Sequence, residues 1–157
     1  MLIQGKLLTY GDDLRSAYDI RKEVFHEEMG LPLEYIDDGM DDLSMHVLVF
    51  ENENRNKAIA TGRIYYDGEV CSLSQIAVLK DYRGKKYGDF TVRMLLSKAF
   101  TAGIRNVVLD SFEDTINFFK ALGFQELNSR CSKYEKQLFG MIISESGVVK
   151  QCGKVYK

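Results

Sequence analysis

The stretch SLSQIAVLKDYRGKKYGDF, Ser72 to Phe90, sets the tightest limit on what this chain can fold into. It begins as an apolar, strand-like run, breaks into a basic turn punctuated by Gly84 and Gly88, and resumes at helical spacing. Val92, Leu95, Leu96, Ala99 and Phe100 then share one face of a helix that stops at Gly103. A strand that feeds a helix through such a loop makes an anion site. The helix start leaves backbone N–H groups outside the helical ladder and carries the positive end of the helix dipole. Glycines let a ligand approach closely, and Arg83, Lys85 and Lys86 add charge. The expected occupant is a phosphate or pyrophosphate; a solvated basic turn before an ordinary helix is the alternative. A nucleoside-triphosphate loop would need Gly-x-x-x-x-Gly-Lys-Ser/Thr, whereas Gly88 is followed by Asp89 and Phe90. The Gly-x-Gly-x-x-Gly dinucleotide pattern does not fit either.

The rest of the chain supplies more of the sheet. Leu2 to Thr9 reads as a strand, and YGDD supplies a turn and an aspartate N-cap for a helix over about Asp13 to Met29, with Gly30 as its left-handed terminator. LPLEYIDDGMDDLS follows as an acidic loop with a short helical turn. HVLVF, AIATGRIYY and VCSLSQIAVL are strands joined by the turn clusters ENENRNK and DGE, and so pair antiparallel. RNVVLDS reads as a strand inside the sheet, and SFEDTINFFKALGF as a helix with Ser111 and Asp114 at capping-box spacing and Gly123 as its stop. KQLFGMII completes a final strand or two, and the tail from Ser144 has no assigned role. The fold class is a mixed α/β sheet with helices packed on it.

At 157 residues and 45% hydrophobic, the chain has the size and apolar content of one domain spanning residues 1–157, and its one proline, Pro32, marks no linker. A formal charge of −2 argues against nucleic acid as the main partner. No apolar run spans a bilayer and no leader is legible, so no membrane partner and a cytoplasmic location are expected. Cys71, Cys131 and Cys152 are odd in number and widely spaced, which fits reduced thiols rather than a disulfide framework or a zinc site. His26 and His46 lack metal-ligand spacing and are expected to be structural; no metal is expected.

IAVLKDYRGKKYG followed by a helix resembles the acyl-CoA binding motif of the GNAT superfamily of N-acyltransferases, Arg/Gln-x-x-Gly-x-Gly/Ala after a strand. RKEVFHEEMG, ATGRI and FFKALGF stand in that superfamily's order, and Arg21, Val24, Phe25, Glu28 and His46 resemble a subgroup of small acetyltransferases. The resemblance implies a mostly antiparallel sheet with a splayed strand pair. It implies that the backbone of Ile76, Ala77 and Val78 pairs with the pantetheine arm of acetyl-CoA, while Arg83, Gly84, Lys85, Lys86, Tyr87 and Gly88 cradle the pyrophosphate and Phe119 faces the cofactor. The activity implied is transfer of an acetyl group from acetyl-CoA to a primary amine by direct attack, in a monomer or homodimer. The other readings are an acyl-CoA binding module without turnover and a homoserine-lactone-synthase-like acyltransferase.

Two positions depart from the motif. Lys86 replaces its first glycine, and Phe119 replaces the tyrosine that relatives use to protonate the leaving thiolate. Tyr82 and Tyr87 are the nearby substitutes, with Tyr82 preferred. Where relatives offer an amide to pantetheine, this chain has Ser111 and Phe112. For the base, strand alternation places Ser72, Ser74, Ile76 and Val78 on one face, none of them basic. Glu28, Asp37, Asp38, Asp41 and Asp42 form the better reservoir, with Glu28 as the catalytic candidate, and the acidic loop suits a cationic acceptor such as a polyamine, amino sugar or lysine side chain. Cys71 has no histidine near it in sequence to make it an acyl-carrying nucleophile.

Overall fold

A computed structural model describes residues 3–51, 54–68 and 70–150. Leu2 of the expected first strand, Asn52, Glu53 and Glu69 of the turn clusters, and the chain from 151 onward with Cys152 lie outside the described residues. The strands are β1 (Gln4–Leu8), β2 (Ser44–Glu51), β3 (Asn54–Asp67), β4 (Val70–Val78), β5 (Asn106–Phe112), β6 (Gln125–Lys133) and β7 (Lys136–Ser144). They form one sheet in the order β1-β2-β3-β4-β5-β7-β6. β4 and β5 run parallel; the other neighbours are antiparallel. The mixed α/β fold expected from sequence is the fold observed, with the three consecutive strands antiparallel and β5 inside the sheet. β6 is exposed along its whole length, so no apolar alternation announced it.

Three helices cover the sheet. α1 (Arg15–Arg21) continues into a π-helical segment, Lys22–Glu28, so the single helix expected from Asp13 to Met29 changes geometry halfway. Asp13 accepts a bond from the Arg15 backbone N–H at 3.0 Å, and Gly30 closes the segment at φ 76°. The wider π turn sets Val24, Phe25 and Glu28 toward the middle of the sheet. α2 (Tyr87–Thr101) packs Val92, Leu95, Leu96 and Ala99 into a core shared with Val47, Ile64, Leu73, Leu109 and Met141. Gly62 on β3 permits this approach, because a Cβ there would stand 2.7 Å from Leu95 Cδ1. α3 (Ile116–Leu122) begins only after a 3-10 turn, Glu113–Thr115. The expected capping box does not form, since the Ser111 hydroxyl bonds Thr115 Oγ1 and the Phe112 carbonyl instead. A smaller core of Ala17, Ile20, Val24, Phe25, Leu31 and Ile36 packs α1 and the acidic loop on the opposite face.

One sequence expectation is corrected here. Thr61 pairs with Ala77 but Arg63 pairs with Ser74, so β4 carries one more residue than β3 between these pairs. The bulge centres on Gln75, whose φ is 54°. It flips the strand's parity: Cys71 and Leu73 before it, and Ile76 and Val78 after it, face the α2 core, while Ala77 joins the α1 core. Ser74 meets Arg63 on the α1 side, so Ser72 and Ser74 do not share a face with Ile76 and Val78.

A buried ionic network ties the acidic loop to the sheet. Arg21, with no exposed surface, donates to both oxygens of Asp41 at 2.9 and 3.0 Å and to His46 Nδ1 at 2.8 Å. Arg63 donates to Asp38 at 2.9 and 2.6 Å, to Asp41 at 3.0 Å and to Ser74 at 2.9 Å. Because a guanidinium only donates, His46 Nδ1 accepts, and its Nε2–H donates to the Asp41 carbonyl at 3.0 Å. His46 is therefore neutral: burial pushes it below its usual 6.5, and Arg21 and Arg63 add to the shift.

Two outcomes follow. The unfolded chain takes up a proton at His46 below about pH 6.5 that the folded chain refuses, so stability falls as pH drops through that value. Thermal melts of the wild type should show this slope and His46→Gln should lack it; equal slopes would remove His46 as its source. Asp41→Ala leaves Arg21 buried without its main counter-charge and should cost about 3–5 kcal/mol in denaturant unfolding.

Candidate functional site

β4 and β5 are paired only from Cys71↔Val107 to Leu73↔Leu109. Beyond Leu73 the two strands part, and a cleft of about 1010 Å³ opens between them, running from the acidic loop to the start of α2. The Leu79 N–H donates to the Ile59 carbonyl on β3 at 2.9 Å. By alternation the Ala77 amide also faces β3, so Ile76 and Val78 turn their backbone groups toward the open wedge. The Val78 carbonyl confirms that direction, since it accepts the Arg83 Nε–H at 2.9 Å. Of the three backbone candidates from sequence, Ile76 and Val78 offer amides, and Ala77 contributes only its side chain to the lining.

The basic loop bends through two left-handed corners, Gly84 at φ 74° and Lys86 at φ 73°. Lys86 is thus a non-glycine residue where the motif's glycine would be relaxed. The first intrahelical bond of α2 runs from Phe90 N–H to the Lys86 carbonyl, so the Gly88 amide lies ahead of the helical ladder. A Cβ on Gly88 would stand 3.3 Å from the Phe118 ring and 3.5 Å from Val78, so the helix start approaches the cleft wall closely. Gly84, Lys86, Gly88 and Phe119 line the cleft; Lys85, Tyr82 and Tyr87 are not in its lining. Lys85 and Lys57 sit over the Tyr82 ring, 5.8 and 5.1 Å from its centroid, and Tyr87 is buried in the α2 core. Tyr82 is therefore poorly placed to give a proton inside the cleft.

Arg83 and Glu28, separate candidates from sequence, are joined. The guanidinium grips both Glu28 oxygens at 2.6 and 2.7 Å, bridging the π-helical segment and the basic loop across the cleft. Its side chain is thereby directed to Glu28 and Val78, leaving its backbone as the part available to an anion. Hydrogen bonds from Arg83 hold the Glu28 carboxyl below the usual range, which opposes a role as base. Burial alone would raise Asp38, but the bonds and charge of Arg63 outweigh it and hold this carboxyl low as well. Asp41 is bonded to Arg21 and Arg63, Asp37 accepts weakly from Tyr18 at 3.4 Å, and Asp42 is exposed and absent from the lining. His26 Nδ1 bonds the Leu31 carbonyl at 2.6 Å and stabilises the turn after the π segment. Burial pushes the Cys71 thiol up to about 12, which keeps it protonated and a poor nucleophile.

Two cleft residues went unnoticed in sequence. Tyr35 from the acidic loop and Tyr134 in the β6–β7 turn line it beside Phe25 and Phe112, the latter at the end of β5 where sequence had noted it. Burial pushes the Tyr35 phenol up to about 12, so it stays protonated. Gln75 also lines the cleft, although only 5% exposed. The one sequence signal for it was the break in alternation at the apolar run Ile76-Ala77-Val78.

Known proteins share this fold. Residues 12–124 match the model described as the acetyltransferase (GNAT) family. The Bacillus subtilis (strain 168) protein called "Uncharacterized N-acetyltransferase YjcF" is 27% identical over 119 residues, 76% of this chain and 83% of that protein. An acyl-CoA N-acyltransferase from Pseudomonas aeruginosa superposes with a TM-score of 0.78 at 16% identity, covering 90% of this chain and 99% of that one. A GNAT family acetyltransferase from Elizabethkingia anophelis with acetyl-CoA bound gives 0.69 at 14% identity, covering 90% and 97%. With a wedge between parallel strands that opens onto a helix N-terminus, and a family match over most of its length, the chain belongs to the GNAT family of acetyltransferases, which transfer an acyl group from acyl-CoA.

Proposed function

We propose that the protein transfers an acetyl group from acetyl-CoA to the nitrogen of a primary amine, with both substrates bound together and the whole chain acting as one domain. The observation that carries this reading is one continuous row of backbone groups. It starts with Ile76 and Val78 in the wedge and runs through the corners at Gly84 and Lys86 to Gly88 at the start of α2. An amide-bearing arm fits beside Ile76 and Val78 as a further strand would. A pyrophosphate fits the amides of residues 83–88, where the absent Cβ of Gly88 and the positive end of a helix meet. Phe119 contributes an apolar wall to the same cleft.

In the transfer the amine nitrogen attacks the thioester carbonyl carbon. The new N–C bond forms, the C–S bond breaks, and the bond pair leaves on sulfur; the proton shed by nitrogen reaches that thiolate through water. Backbone N–H groups in the wedge stabilise the oxygen that gains charge. Phe119 gives no proton, and none is required of it: a thiolate whose acid has a pKa of about 8.5 is a tolerable leaving group. Glu28 and Asp38, both held low by arginine partners, do not take the amine's proton efficiently. The free amine is therefore drawn from solution, at a cost of about 4–5 kcal/mol for an amine of pKa ~10.4 at neutral pH.

A second reading, binding of acyl-CoA without turnover, is favoured by Phe119 together with the strained Lys86. Calorimetric titration with acetyl-CoA, followed by thiol-release assays over amines, separates the two. Binding with turnover supports transfer, binding alone supports the module, and no binding at millimolar ligand overturns both.

Without an efficient protein base, kcat/KM should climb about tenfold per pH unit between roughly pH 7 and 9, and Glu28→Gln should keep that slope. A plateau at neutral pH in the wild type would point to a protein base. Lys86→Gly should relieve the left-handed strain and raise stability by about 1 kcal/mol. Lys86→Ala keeps the strain and loses only the charge. Equal losses of acetyl-CoA affinity in both variants would assign the loss to the ammonium; unequal losses would assign it to the backbone corner.

A further inference from the structure

The acceptor end of the cleft has a composition that narrows the amine. Gln75 donates its Nε2–H to the Tyr35 carbonyl at 2.9 Å. A carbonyl only accepts, so this bond fixes which way the amide points. Gln75 Oε1 is consequently left buried in the wall of the cleft with no partner. A buried acceptor without a donor is a site for a ligand N–H.

Four aromatic rings line the same cleft. Tyr35 is the hub: its ring centroid lies 5.1 Å from Phe25, 5.9 Å from Phe112 and 6.2 Å from Tyr134, and all four side chains line the cleft. Gln75 and Phe112 come from the two strands that part, so the rings and the orphan oxygen flank the same opening. Two carboxylates of the acidic loop are not the free charges its sequence promised. Asp38 and Asp41 are consumed by Arg21 and Arg63, two carboxylates against two guanidiniums. The other carboxylates of the lining include Glu34, Asp110 and Asp114, from three separate elements, and among the described residues no three acidic, His or Cys side chains are grouped as a metal ion would require. A polycation is held best by several free carboxylates, whereas a flat apolar body carrying one amine is held by rings.

Resting on the transfer reading above, we infer that the acceptor is a primary amine carried on an aromatic or similarly flat apolar group. The body of the acceptor lies against Phe25, Tyr35, Phe112 and Tyr134, and its N–H bonds Gln75 Oε1. This differs from the polyamine, amino sugar or lysine side chain expected from the acidic loop.

The test uses the full chain with saturating acetyl-CoA and compares 2-phenylethylamine, spermidine, glucosamine and Nα-acetyl-lysine methylamide by thiol release. The expected result is a kcat/KM for 2-phenylethylamine at least about tenfold above each of the others. Higher turnover of any of the other three overturns the acceptor class while leaving amine transfer intact. Acetyl-CoA binding without turnover of any amine overturns the transfer reading, and this inference with it. Tyr134 is 41% exposed with φ 52°, a backbone that asparagine tolerates, so Tyr134→Asn should fold and lose only the ring. It should raise the KM for 2-phenylethylamine about fivefold with little change in kcat or in the KM for acetyl-CoA. Gln75→Met should lower kcat/KM for the amine about tenfold, with acetyl-CoA binding by calorimetry as the check on folding. An unchanged amine KM in Tyr134→Asn, or an unchanged kcat/KM in Gln75→Met, removes the ring or the orphan oxygen from the site.

Discussion

The left-handed backbone of Gln75 is the constraint from which the site follows. Without it, regular alternation would place Ile76 and Val78 on the face of Ser72 and Ser74, and would turn the polar amide of Gln75 into the α2 core. With it, Leu73 and Ile76 both reach that core, while Ser74 and Gln75 both face the acidic loop. The extra residue locally disrupts the ladder and bends the strand. β3 follows β4 around the bulge, and β5 does not, so its pairing ends at Leu73↔Leu109. The freed edge turns the backbone groups of Ile76 and Val78 toward the cleft.

The wedge also has a fixed wall in the acidic loop, held by charge as well as by apolar packing. The acidic loop contains only short helical turns, Leu33–Tyr35 and Asp41–Leu43. Its position depends on Arg21 and Arg63, which reach from α1 and β3 to Asp38 and Asp41. Buried ion pairs contribute little net stability over apolar replacements, but losing one partner is costly. They suit a loop that must take one position and no other. The same bonds deny the carboxylates to chemistry, because a group that has found a guanidinium has lost its appetite for a proton.

Much of the fold was legible because its signals are local. The period change at Gly88, the glycine stops at Gly30 and Gly103, and the turn clusters between strands each depend on a few adjacent residues. The basic loop before α2, with its glycine corner at Gly84, was legible for the same reason. What sequence could not show was pairing between distant side chains. Glu28 looked like a free carboxylate because Arg83, its partner, lies 55 residues away. Tyr35, Phe112 and Tyr134 come from three separated segments and meet only when the sheet closes. The serine face of β4 was misassigned because alternation assumes no bulge, and glutamine is not a residue that advertises one.

The strain in this backbone is not spread at random. Among the described residues, the non-glycine positions with positive φ are Gln75, Lys86, Tyr134 and Glu135, and the first three line the cleft. Each costs roughly 1–3 kcal/mol that a glycine would largely avoid. A glycine would also remove the amide oxygen at 75, the ammonium at 86 and the ring at 134. Left-handed backbone with a side chain attached is what lets the chain turn sharply and still place a functional group at the turn. Gln75 and Tyr134 do this near the acidic loop and Lys86 at the start of α2, so the cleft is lined on both sides by residues whose side chains occupy positions that relaxed backbone would leave to glycine.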